Sequence, residues 1–116
     1  MILKKKTFNQ PNNIDYLVYL PDEYYNDEKS YPLVLFLHGA GERGNNVDSI
    51  KKHGIPKRIE EGAHFPFITI APQCRDGIWW SNRENINTLE KLMNYSILDL
   101  KVDKKRIYGT GLSMGG

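Results

Sequence analysis

Arg106-Ile107-Tyr108-Gly109-Thr110-Gly111-Leu112-Ser113-Met114-Gly115 is the stretch that decides how this 116-residue sequence is read. Its first half is short and apolar and predicts a buried strand. Its second half spells Gly-x-Ser-x-Gly. Directly after a strand, that pattern marks a nucleophile elbow, a sharp turn that lifts a serine hydroxyl above a sheet. The glycines have a steric task. So tight a turn holds unusual backbone angles at the serine and brings neighbouring backbone close, and side chains at Gly111 and Gly115 would clash.

Working upstream, the chain alternates strands with helices. Ile2 to Phe8 predicts a first strand, ended by the turn residues Pro11-Asn12-Asn13. Ile14 to Leu20 is β-rich and suits an antiparallel partner. Pro21 to Ser30 reads as an acidic, tyrosine-containing loop. Pro32 to Leu37 is an almost unbroken apolar run, the pattern of a strand buried on both faces. His38-Gly39-Ala40-Gly41-Glu42-Arg43-Gly44 follows as a loop. Asp48 to Glu61 predicts a helix split by Gly54 and Pro56. Phe67 to Ala71 is a second buried strand, closed by Pro72, and Gln73 to Ser81 a loop carrying Trp79 and Trp80. Between Glu84 and Leu98, Ile86, Leu89, Leu92, Met93 and Ile97 share one helical face. Such an alternation predicts an α/β fold: a mostly parallel sheet with flanking helices, in one domain over residues 1–116.

Composition bounds the partners. A formal net charge of +2 gives no reason to expect nucleic acid or an anionic membrane surface. Lys4-Lys5-Lys6 reads as a solvated strand end. These lysines lead into Thr7-Phe8-Asn9-Gln10-Pro11 rather than an apolar stretch, so no signal peptide is expected and the cytoplasm is the expected address. No window has the length of a membrane span. The lone Cys74 excludes an internal disulfide, fits a reducing compartment, and reads as a small buried hydrophobe.

The chemistry begins at Ser113. A serine attacks only when a base takes its proton, and acyl transfer needs donors aimed at the oxyanion. In an elbow the N–H after the serine, here Met114, points into the site. The second donor comes from the loop after an upstream strand. His38-Gly39-Ala40-Gly41 occupies that place, with Ala40 the first choice for the N–H and Gly41 the next. His38 is expected to hold this loop rather than act as the base, and His53 and His64 to lie on the surface. Glu42 and Arg43 read as loop anchors. Trp79 and Trp80 lie after a strand, where open α/β sheets bind ligands, and are candidate substrate-binding residues. One of the two is expected to wall the pocket while the other packs into the core. Asp76, Asp99 and Asp103 precede the serine and are poor choices for a triad acid. Asp103 is expected to shape the turn into its strand. No metal or cofactor is called for.

Three blocks carry a family resemblance. They are Tyr31-Pro32-Leu33-Val34-Leu35-Phe36-Leu37-His38-Gly39-Ala40-Gly41-Glu42-Arg43-Gly44, then Ala71-Pro72-Gln73-Cys74, then Arg106-Ile107-Tyr108 running into Gly111-Leu112-Ser113-Met114-Gly115-Gly116. In this order they resemble the N-terminal half of an α/β-hydrolase, of the esterase and peptidase group that includes dienelactone hydrolases, feruloyl esterases and the prolyl oligopeptidase catalytic domain. The resemblance implies an eight-stranded, mostly parallel sheet, a Ser-Asp/Glu-His triad, and hydrolysis of small-molecule esters or peptides without a cofactor. The family places its acid and histidine after the nucleophile, so both are expected beyond Gly116, with the 116-residue piece inactive alone. Gly109 departs from the larger apolar residue usual in that strand.

Two other readings compete. Thr110-Gly111-Leu112-Ser113-Met114-Gly115-Gly116 also resembles a dinucleotide-binding turn of an oxidoreductase. Such a turn follows the first strand of its unit, whereas this one follows the fifth. A non-catalytic binding module or remnant is the third reading. It would leave the last strand with an unpaired edge and a sheet face partly uncovered.

Overall fold

Strand alternation builds the centre of the molecule. In Ile14–Leu20, Tyr16, Val18 and Leu20 turn to one core cluster, and Leu17 and Tyr19 to another. Successive side chains on a strand point to opposite faces, so both faces of this strand are covered. The computed structural model describes residues 1–9, 13–74, 80 and 83–111. It contains strands β1 (Ile2–Phe8), β2 (Ile14–Leu20), β3 (Tyr31–Leu37), β4 (Ile68–Pro72) and β5 (Val102–Gly111), with helices α1 (Gly54–Glu60) and α2 (Arg83–Asp99). Short 3-10 turns span Ala40–Glu42 and Val47–Lys52.

The five strands form one sheet in the order β1-β2-β4-β3-β5. Pairing is antiparallel for β1 with β2 and for β2 with β4. It is parallel for β3 with β4 and for β3 with β5. The sheet is thus mixed, with its parallel part carrying the carboxyl ends of β3, β4 and β5 to one rim. One face packs Leu33, Ile68, Ile70 and Val102 against Leu92 of α2. The other packs Phe36 and Ala71 against Ile50 and Ile59 of the segment that contains α1.

The expected helix over residues 48–61 is two pieces. The break falls at His53-Gly54, where Gly54 has φ 64°. Pro56 sits inside the first turn of α1, where its missing N–H costs nothing. On α2, Leu89 and Leu92 are buried as the periodicity required, and Met93 and Ile97 pack on the core. Ile86 is instead 44% exposed. Among the described residues no helix is long and apolar enough to cross a membrane.

Residues 106–110, expected to be buried, are exposed. The strand is real, but β5 lies at the edge of the sheet with β3 as its neighbour. Among the described residues, little packs over either of its faces. Burial depends on cover, and an apolar run does not supply its own. The lysines of β1 hold the opposite edge in solvent. Lys5 pairs with Asp48 at 2.8 Å, Lys6 with Asp99 at 3.4 Å, and Lys4 lies 5.0 Å from the centre of the Tyr25 ring. Charged edges of this kind block pairing with other chains.

Candidate active site

Register sets the site. Leu37 and Gly111 are paired across β3 and β5, so the loop that starts at His38 leaves the sheet beside the last described residue of β5. Ser113, Met114 and Trp79 lie outside the described residues. Ala40 and Gly41 begin the 3-10 turn that follows β3. The turn's own bond runs from Glu42 N–H to Gly39 C=O at 3.3 Å. Its geometry therefore does not consume the N–H groups of Ala40 and Gly41, which precede the first bonded donor. A Cβ built on Gly41 would meet nothing within 4 Å, so the backbone there is open to approach.

His38 is fully buried. Its Nε2 accepts the Cys74 N–H at 2.8 Å, and its Nδ1 lies 2.6 Å from the Gly39 carbonyl. This pairing requires the proton on Nδ1 and a neutral ring. Burial pushes its pKa below the ordinary 6.5, partly offset by the Gly39 carbonyl and Glu42, while Arg43 acts in the same direction as burial. The ring stands 5.0 Å from that of Trp80, whose Nε1–H donates to the His38 carbonyl at 3.0 Å. With both nitrogens and its carbonyl committed, His38 holds the loop, as its position suggested, and is not free to shuttle protons.

The other histidines are exposed. His53 joins the 3-10 turn to α1. His64 faces Asp22 at 3.5 Å and Glu23 at 3.7 Å. These acids follow the carboxyl end of β2, which lies opposite the rim because β2 runs antiparallel to β4. Asp103 accepts from Lys105 N–H at 3.0 Å and from Arg106 Nε at 2.7 Å. Its carboxylate shapes the start of β5, away from the rim. Among the described residues no group of His, Cys, Asp or Glu is arranged to hold a metal ion.

Trp80 needs correction as a substrate-binding candidate. It is 4% exposed and packs with Ile14, Cys74 and Leu89. An indole whose N–H and ring are used inside the core does not present a face to substrate. Cys74 is the small buried hydrophobe expected, 1% exposed.

Gln73 stands in one of the three resemblance blocks, but the sequence assigned it no role. Its side chain is buried, and its Nε2 donates to the carbonyls of Glu42 at 3.0 Å and Asn46 at 2.7 Å. Its own N–H binds the Asp15 carbonyl at 2.9 Å. The next residue, Cys74, accepts the Gly44 N–H at 3.0 Å, where Gly44 holds φ 137°. Gln73 and Cys74, at the end of β4, thus fasten the whole loop after β3. The signal for this was only the fixed place of Gln73 behind Pro72.

Comparison with known proteins agrees with this layout. The chain matches no protein-family profile. It is 32% identical over 113 residues to a feruloyl esterase C of Emericella nidulans, covering 93% of this chain and 40% of that protein. A probable feruloyl esterase C of Aspergillus niger gives the same identity and coverage. A thermostable esterase of known structure superposes with a TM-score of 0.78 at 29% identity, over 97% of this chain and 34% of its own. The chain carries part of an α/β-hydrolase fold. A ferulic acid esterase from Anaeromyces mucronatus shares this α/β-hydrolase sheet, with a TM-score of 0.63 at 24% identity over 98% of this chain and 50% of its own. The chain spans about 40% of the length of the curated relatives it matches.

Proposed function

We propose that the protein is a serine hydrolase that cleaves carboxylic esters through an acyl-enzyme on Ser113, with feruloyl-type aromatic esters as the substrate class. The observation that carries this reading is the Leu37–Gly111 register. It sets Gly111, where the Gly-x-Ser-x-Gly pattern begins, beside the strand end that leads into the His-Gly-Ala-Gly loop, on a sheet shared with esterases. Ser113 Oγ attacks the ester carbonyl and gives up its proton to a histidine. The N–H groups of Met114 and Ala40, with Gly41 next, stabilise the oxyanion. The same histidine protonates the departing alcohol, and water then releases the acid by the reverse steps.

That histidine is assigned outside residues 1–116, since His38 is committed to the loop, His64 faces Asp22 and Glu23 away from the rim, and the family order sets the base after the nucleophile. The triad acid is assigned outside the same residues. The 116-residue piece alone should turn over negligibly. Esters are preferred to peptides because the relatives are named as esterases. The dinucleotide reading has no observation in its favour, since Gly111 ends the fifth strand.

A fluorophosphonate probe tests the assignment. It should label the full-length protein at Ser113 and leave a Ser113→Ala variant unlabelled. Equal labelling of both would remove Ser113 from the mechanism.

A further inference from the structure

We infer that Gln73 is the positioning residue of the oxyanion loop, acting through the carbonyls of Glu42 and Asn46 on the Ala40 and Gly41 N–H groups. The inference rests on the serine-esterase reading above.

The loop after β3 has little to hold it. Its 3-10 turn covers only Ala40–Glu42, and a single 3-10 turn is a weak, short-lived unit. The next regular segment starts at Val47. Between them the chain is irregular, and carbonyls that turn inward there need donors from elsewhere. Gln73 supplies two from one nitrogen, at 3.0 Å and 2.7 Å, to carbonyls at the two ends of the 42–46 span. Of the uncharged side chains only an amide has two hydrogens on one atom, and Asn would fall one methylene short.

Burial strengthens the case. Gln73 is 4% exposed, and its Oε1 has no hydrogen-bond partner among the described residues. An unpaired buried acceptor is costly, and an apolar side chain of the same size would avoid that cost. The carboxamide is therefore explained by its two donor bonds. One of them ends on the carbonyl of Glu42, which closes the turn that begins at Ala40. A shift of the Glu42 carbonyl tilts the turn and moves both candidate donors together. Such donors act only when they point at the developing oxyanion, and small displacements are felt strongly in rate.

The test uses the full-length enzyme and two size-matched variants, Gln73→Glu and Gln73→Met, with active sites counted by fluorophosphonate titration. Each is assayed on an oxoester and on the thionoester of the same acid and alcohol. A thionoester develops its charge on sulfur, which gains far less from oxyanion donors. The variants should lose roughly 10- to 100-fold in kcat on the oxoester, with KM little changed. The oxoester-to-thionoester rate ratio should fall with it. A merely structural role would lower stability and the count of active sites, and leave that ratio intact. An unchanged kcat per titrated site, or an unchanged ratio, overturns the inference. So does failure of both variants to fold, which would make Gln73 a folding determinant instead. The parent reading fails separately, by full activity in Ser113→Ala.

Discussion

Leu37 and Gly111 face each other in parallel register on β3 and β5, and everything proposed for catalysis depends on that pairing. It sets the start of a glycine-rich loop beside Gly111, the first residue of the Gly-x-Ser-x-Gly pattern, on one rim. In open α/β sheets the carboxyl ends of parallel strands are where ligands bind. If the pairing places the nucleophile, Ser113→Ala in the full-length protein should lower kcat on a 4-nitrophenyl ester by on the order of 10^4- to 10^6-fold. The far-UV circular dichroism should not change. A loss below tenfold would mean that another residue attacks.

His38 makes the stability pH-dependent. Its Nε2 faces the Cys74 N–H at 2.8 Å, so protonation there would set two donors against each other. Burial holds its folded pKa below the ordinary 6.5. The unfolded chain therefore takes up the proton first as the pH falls. The contribution of His38 to stability is fully present above 6.5 and is lost as the pH drops through the depressed folded value. Urea midpoints measured between about pH 8 and about pH 5 should fall, and His38→Gln should flatten the part of that fall due to this group. A midpoint that rises on acidification below the ordinary histidine range would contradict the assignment.

Local pattern carried the strands, and long-range contact carried the rest. Ile2–Phe8 and Ile14–Leu20 were legible because β-rich composition and a turn signal are local properties. The loop-holding role of His38 was legible from its place before the glycines, but its partners Cys74 and Trp80 stand 36 and 42 residues away. Gln73 reaches 31 and 27 residues back to Glu42 and Asn46, and no periodicity records that. The misjudged burial of residues 106–110 has the same origin. Ile107 and Tyr108 have the composition of a core strand, and what covers a strand is not written in the strand. Trp80 and Trp79 are adjacent in sequence, so composition had no means to say which one the core would take.

The place of Trp80 can be checked by separating stability from substrate affinity. Trp80→Phe keeps most of the ring but deletes the Nε1–H bond to the buried His38 carbonyl. That should cost about 1–3 kcal/mol. Trp80→Ala should cost about 3–5 kcal/mol. Urea denaturation reads both. For Trp80→Phe, KM on a small ester should stay at the wild-type value, because a ring that is 4% exposed does not touch substrate. A raised KM with unchanged stability would return Trp80 to the substrate pocket.

The edge at β5 gives the last prediction. This ten-residue strand has β3 on one side and no strand on the other among the described residues. Tyr108 is 57% exposed and Ile107 38%. A long strand with free backbone groups and apolar side chains is a template for pairing with another chain. β1 carries three lysines along the opposite edge, while the charges of β5 stop at Arg106 and the exposed residues 107–110 after it carry none. The 116-residue polypeptide made alone should therefore self-associate, with sedimentation velocity showing larger species as concentration rises. Tyr108→Lys places a charge mid-strand and should shift the distribution toward monomer. A polypeptide that stays monomeric at high concentration, or a Tyr108→Lys variant that associates as strongly as the parent, would show that β5 is not the sticky edge.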